Sequence, residues 1–258
     1  VPDSSVLTVV GDGNLTINLN SGKYFGIGNS LDEYHGELNF YQDGGIIINA
    51  NGMKGIGIGS GLGGVINIKR GHYEFDMKGQ EGACIGSVNG DSELFIEYCD
   101  MDIYSGISNG TIIGSVNGDA DIKLENISAK LQGAGNVITG IGTIAGNSCM
   151  VRLENVNISS NIRAKECYGI GCRAGRTDIY IGYAAVKSVV QGKAAVAFGN
   201  SVMSAKLYCS NADIGTNAVT EFHSDIGALE KNTQLEHGRA EFILNGQEVK
   251  RQILAARL

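Results

Sequence analysis

The residues best suited to chemistry in this 258-residue chain recur at a fixed interval. Lys123, Arg152, Tyr180 and Tyr208 are separated by 29, 28 and 28 residues, and Glu93, Glu97, Asp121, Glu125, Glu154 and Asp178 flank them. Brought side by side, two cations, two aromatic rings and neighbouring carboxylates could bind a polyhydroxylated ligand. The rings would cover sugar faces and the charged groups would bond hydroxyls. A solvated sheet face whose charges pair between neighbours uses the same residue types. Glycoside hydrolysis needs two carboxyls roughly 5 to 9.5 Å apart, and stacked strands offer spacings of about 5 and 10 Å. Nothing in the sequence sets one of these acids apart as a proton donor, so the expectation leans away from an enzyme and assigns no catalytic residue.

Other reactive side chains form no constellation. His35, His72, His223 and His237 fall at unrelated repeat positions, none at an interpretable spacing from a Ser or Cys. The six cysteines, at 84, 99, 149, 167, 172 and 209, include no pair one repeat apart and no CxxC. They read as reduced core thiols acting as small hydrophobes, which favours a reducing compartment or an anaerobic exterior. The string Gly55-Ile56-Gly57-Ile58-Gly59 lacks the Lys-Ser/Thr of a phosphate loop and is not followed by a helix pattern. No metal site and no cofactor are expected.

The elements that must position these side chains follow from the repeat. An apolar residue followed by Gly ends at Gly28, Gly59, Gly86, Gly114, Gly142, Gly171, Gly199 and Gly227, in steps of 31, 27, 28, 28, 29, 28 and 28 residues. A second column, Leu38, Ile66, Leu94, Ile122, Val151, Ile179, Leu207 and Leu235, keeps the same period. Two residues on runs a third, Phe40, Ile68, Ile96, Leu124, Leu153, Ile181, Cys209 and His237. Apolar residues at i and i+2 mark one face of a strand. A fixed period of this size marks a stacked repeat architecture. Helices fit poorly, since each interior Gly costs a helix about 1 kcal/mol relative to Ala. The prediction is an all-β, right-handed parallel β-helix of about eight coils of about 28 residues. Stacked at about 4.8 Å per rung, these make a cylinder roughly 35 Å long.

Within that frame, Gly63, Gly90, Gly118, Gly146 and Gly175, each four residues after an anchor glycine, read as turn positions needing positive φ. The anchor glycines read as a second close approach. The one extra residue falls around Asn147-Ser148, as a loop insertion or bulge. Residues 1–258 are expected to form one solenoid domain. Residues 1–23 are an incomplete first rung, 24–245 the repeats, and 246–258 a C-terminal helical cap over the open strand edges, with a partner-binding tail as the alternative. Val1-Pro2 carries no initiator Met, so a fragment or processed form is expected.

Strings such as Gly55-Ile56-Gly57-Ile58-Gly59-Ser60-Gly61 followed by Gly63-Gly64-Val65-Ile66-Asn67-Ile68 resemble right-handed parallel β-helices of the pectin-lyase-like superfamily. They are most similar to the Gly-Ile-Gly-rich repeat regions of bacterial, often gut-associated, surface proteins. The resemblance covers about residues 24–245 and implies the architecture. Lyases, hydrolases, epimerases and adhesins share this scaffold, so it does not choose among activities. Neither Asp-Asp nor Gly-His-Gly, expected of a pectate lyase or polygalacturonase relative, occurs.

A net charge of −7 and a pI near 5.1 argue against nucleic acid or an anionic membrane as partner. No run approaches the ~18 apolar residues of a membrane span. Three readings stay open. One is a non-catalytic carbohydrate-binding or adhesive module of a bacterial surface protein, with Lys123, Arg152, Tyr180 and Tyr208 touching the glycan. The second is a carbohydrate-active enzyme on the same fold, and the third an intracellular sensor or structural region attached to another domain. Cell surface or secretion is favoured over cytoplasm, and oligomeric state is open.

Overall fold

A computed structural model describes residues 1–228, 233–237, 240–244 and 247–248; the side chains of 219–223 and of residues beyond 227 lie outside the description. The first coil is β1 (Val6–Gly11), β2 (Leu15–Asn20) and β3 (Lys23–Gly28). The second is β4 (Glu37–Gln42), β5 (Gly45–Asn51) and β6 (Lys54–Ser60). In the next four coils the second and third strands run through their corner as one. These coils are β7 (Gly63–Lys69) with β8 (His72–Ser87), and β9 (Asp91–Glu97) with β10 (Asp100–Ser115). They continue as β11 (Ala120–Glu125) with β12 (Ser128–Thr143), and β13 (Ser148–Glu154) with β14 (Asn157–Cys172). β15 (Arg176–Asn200) and β16 (Ala205–Ala228) each run a whole coil. β17 (Thr233–His237), β18 (Ala240–Leu244) and β19 (Gln247–Glu248) follow.

Each coil pairs in parallel with the next, giving a β-solenoid of about eight turns with no helix among the described residues. The period-two pattern explains the core. From Leu38 to Leu207, and from Phe40 to Cys209, every member of the two apolar columns is at most 4% exposed. Between them the backbone turns the intervening residue outward, as a pleated strand must. In the last rung, Leu235 and His237 pair by backbone with Leu207 and Cys209; their side chains lie outside the described residues. β1, β2 and β3 pair with β4, β5 and β6, so the N-terminal segments contribute three strands to the first turn. At the other end, Gln247–Glu248 of the expected helical cap is a short strand antiparallel to β18, its backbone groups taken up by a neighbouring edge. Residues 249–258 lie outside the described residues.

The glycines divide differently from the expectation. All eight anchor glycines have positive φ, between 113° and 143°. From Gly28 to Gly199, an added Cβ would also strike the carbonyl of the next anchor glycine in the stack. Both constraints act at one residue. Of the expected turn glycines only Gly63 and Gly175 have positive φ. Gly90, Gly118 and Gly146 do not, and their reason is crowding: a Cβ would meet the carbonyls of Leu62, Gly90 and Gly118 respectively. The left-handed corner instead falls on Arg70, Tyr98, Asn126, Asn155, Tyr183 and Asn211, with φ between 47° and 68°. Asn tolerates this conformation better than most residues, and Asn155 Nδ2 donates to Asn126 Oδ1 one coil away.

The extra residue sits where the repeat placed it. Pairing shifts from 28 to 29 residues between Thr143 and Cys149, and the Asp119 carboxylate accepts the N–H groups of both Asn147 and Ser148. From Gly59 to Gly199, the residue after the anchor glycine turns inward and is polar or a thiol: Ser60, Ser87, Ser115, Thr143, Cys172 and Asn200 are all fully buried. They satisfy turn carbonyls, as in Ser60 Oγ to Gly63 O at 3.1 Å and Asn200 Nδ2 to Gly175 O at 3.0 Å. Cys172 does the same through Sγ, 3.2 Å from Gly175 O. All six cysteines are free and buried, and burial pushes the thiol of Cys84 up to about 12. They pack as neutral thiols, Cys149 and Cys167 also donating weakly to Gly171 O and Ala194 O.

Three residues beyond the regular repeat lie in the loop 29–36, which makes the first step 31 residues long. The loop buries Leu31 and His35, the latter 2% exposed. His35 Nδ1 donates to Gly36 O at 2.9 Å, leaving Nε2 buried without a partner. Burial pushes its pKa down to about 4. The unfolded chain then takes up a proton first as pH falls. Stability contributed by neutral His35 is present above about 6.5 and lost as pH falls through about 4, by about 3 kcal/mol in total. Thermal melting from pH 7 to 4 should therefore fall more steeply for the natural protein than for His35→Gln; equal slopes would show that His35 is not the responsible group.

Candidate functional site

The outward column between the two buried ones changes character along the stack. In the early coils it is an amide ladder: Asn67 Nδ2 donates to Asn39 Oδ1 at 2.8 Å and to Glu37 Oε1 at 3.1 Å. Phe95 follows, and then Lys123, Arg152, Tyr180 and Tyr208 stand on consecutive rungs of β11, β13, β15 and β16. All four line one shallow groove of about 660 Å³. Its floor is backbone around Ile181–Gly182 and Cys209–Ser210.

A neighbouring column creates the groove. Two residues along from the cation and tyrosine column run Glu125, Glu154, Gly182 and Ser210, in register rung by rung. Where this column loses its long side chains, at Gly182 and Ser210, it leaves space beside Tyr180 and Tyr208. The repeat alignment contains that signal, as a Glu, Glu, Gly, Ser series, and reading the cations and tyrosines alone misses it.

Tyr180 and Tyr208 stack on each other, with ring centroids 4.6 Å apart and planes 4° from parallel. This is close to the rung spacing of about 4.8 Å, so the sheet itself sets the geometry. Each ring covers one face of the other, leaving ring edges, hydroxyls and outer faces for a ligand. A sugar cannot enter between them.

The cations are partly committed. Lys123 Nζ lies 2.7 Å from Glu125 Oε2, and that carboxylate holds the ammonium above the usual lysine range. Arg152 Nη1 lies 2.7 Å from Asp121 Oδ1, and Nη2 contacts Met150 Sδ. Asp121 and Met150 are in register with each other, two positions before Lys123 and Arg152, so the guanidinium leans away from the Glu154 column. Such exposed pairs add at most about 1 kcal/mol of stability each. Of the other flanking acids, Glu97 pairs with Lys69 at 2.9 Å and Asp178 with Arg176 at 3.0 Å.

The remaining candidates stay apart. His35 is buried within the loop 29–36 and His72 lies on the second-strand face; the side chains of His223 and His237 lie outside the described residues. Among the described residues no group of His, Cys, Asp and Glu is arranged to hold a metal ion, and no helix is long and apolar enough to cross a membrane. The chain matches no family model, no curated protein and no solved structure.

Proposed function

We propose that the groove over β13, β15 and β16 binds carbohydrate without catalysis, and that the chain is a carbohydrate-binding or adhesive module. The observation that carries this reading is the convergence of Lys123, Arg152, Tyr180 and Tyr208 on one open groove of about 660 Å³. Its walls offer tyrosine edges and hydroxyls, cationic side chains and backbone, a mixture suited to ring C–H groups and hydroxyls together. The groove runs along the solenoid axis with groups repeating about every 5 Å, close to the length of one sugar residue, so an extended glycan fits along it. The Gly-Ile-Gly-rich strings favour a bacterial surface protein as its setting.

Binding by one shallow groove is expected to be weak, in about the millimolar to high-micromolar range, with avidity arising from display of many copies. A glycan array followed by titration tests the reading. Tyr180→Ala and Tyr208→Ala should each weaken binding at least about tenfold, or 1.4 kcal/mol. No signal on the array, or a signal indifferent to both substitutions, would overturn it.

A further inference from the structure

We propose that Glu154 makes this groove selective for amino sugars, glycans whose rings carry a free ammonium group; the proposal rests on the carbohydrate-binding reading above. Two carboxylates line the groove, those of Glu125 and Glu154. Glu125 is neutralised by Lys123 at 2.7 Å. Among the described residues the Glu154 carboxylate has no ion-pair or side-chain hydrogen-bond partner; its backbone carbonyl accepts from Asn126 N at 3.0 Å.

The nearest cation in sequence, Arg152, is drawn to Asp121 on the far side of its own strand. The Glu154 carboxylate instead lies over Gly182: a methyl group added at 182 would overlap its Oε2 and come within 3.0 Å of its Cδ. Gly182 is therefore what lets the acid fold into the groove floor, next to the rung of Tyr180.

An unpartnered carboxylate beside aromatic edges attracts an ammonium group, because a charge-assisted hydrogen bond is about twice as strong as a neutral one. It repels a uronate or sulfate at the same place. The net charge of −7 works in the same direction, raising the local concentration of cationic ligands. With both groove cations already paired, the charge left to discriminate is that of Glu154.

The test compares three oligosaccharides of equal length by titration calorimetry: a glucosamine oligomer, its fully N-acetylated counterpart and a galacturonate oligomer. The glucosamine oligomer should bind at least about tenfold tighter than the other two at low salt. Glu154→Gln should erase that preference, weakening the glucosamine oligomer to the level of its N-acetylated counterpart. Melting temperature should not move, since the side chain is exposed and unpartnered. Equal or tighter binding of the N-acetylated or galacturonate oligomer, still sensitive to Tyr180→Ala, would overturn the role of Glu154 and leave the groove reading standing. Absence of binding by every glycan would overturn both.

Discussion

Ile122→Asp is expected to lose at least about 4 kcal/mol of stability, enough to open the rungs on either side of it. Ile122 is fully buried on β11, between Leu94 of β9 and Val151 of β13, which are equally buried. A carboxylate there must either remain charged in an apolar stack or take up a proton and stay unbonded. Both are costly, and losses of this size belong to buried, unpaired groups. Ile179→Asp should behave alike, with Val151 and Leu207 as its neighbours. The control is one residue away: Lys123→Ala removes an exposed ion pair and should change stability by less than about 1 kcal/mol. Thermal melting gives the size of the loss, and amide exchange should localise it to β9, β11 and β13. A soluble Ile122→Asp variant with an unchanged melting temperature would show that the strand is not in this register.

Replacing an anchor glycine should cost nearly as much for a different reason. Gly142 has φ of 135°, and a Cβ there would strike the Gly171 carbonyl of the next coil. Backbone strain alone contributes about 1–3 kcal/mol. The collision adds to it, because relief requires moving β14 away from β12 and weakening their ladder. Gly142→Ala is expected to lose at least about 3 kcal/mol. Gly215→Ala supplies the contrast: its φ is not positive, and the nearest atom to an added Cβ is Lys187 Cγ at 3.7 Å. That variant should stay within about 0.5 kcal/mol of the parent or gain slightly, since Ala restricts the unfolded chain. Equal denaturation midpoints for the two variants would refute the steric account of the glycine column.

Period, strand type and buried columns were legible in the sequence because a solenoid imposes the same environment at the same place in every coil. Leu38 to Leu207 and Phe40 to Cys209 repeat since each must fill the same slice of core. The extra residue at Asn147-Ser148 was equally legible, as a single break in an otherwise constant step. The corner chemistry was only half legible. Gly90, Gly118 and Gly146 look like turn residues with positive φ, yet crowding by the adjacent coil selects them. Meanwhile Arg70, Tyr98 and Tyr183 take the left-handed corner without a sequence signal. Ser160, Ser188 and Thr216 resemble surface positions but lie buried at most 3% exposed, in register with Phe75, Ile103 and Leu131.

By itself, the sequence determined that this chain stacks parallel coils and that Lys123, Arg152, Tyr180 and Tyr208 share one outward column, because strand alternation and a constant period fix which way a residue faces. Only the tertiary structure decided how those side chains spend their contacts. It stacked the two tyrosines on each other, sent Arg152 toward Asp121, paired Lys123 with Glu125 and folded Glu154 over Gly182. Those choices depend on rotamers and on lateral neighbours one rung away, which a column of residue types does not contain.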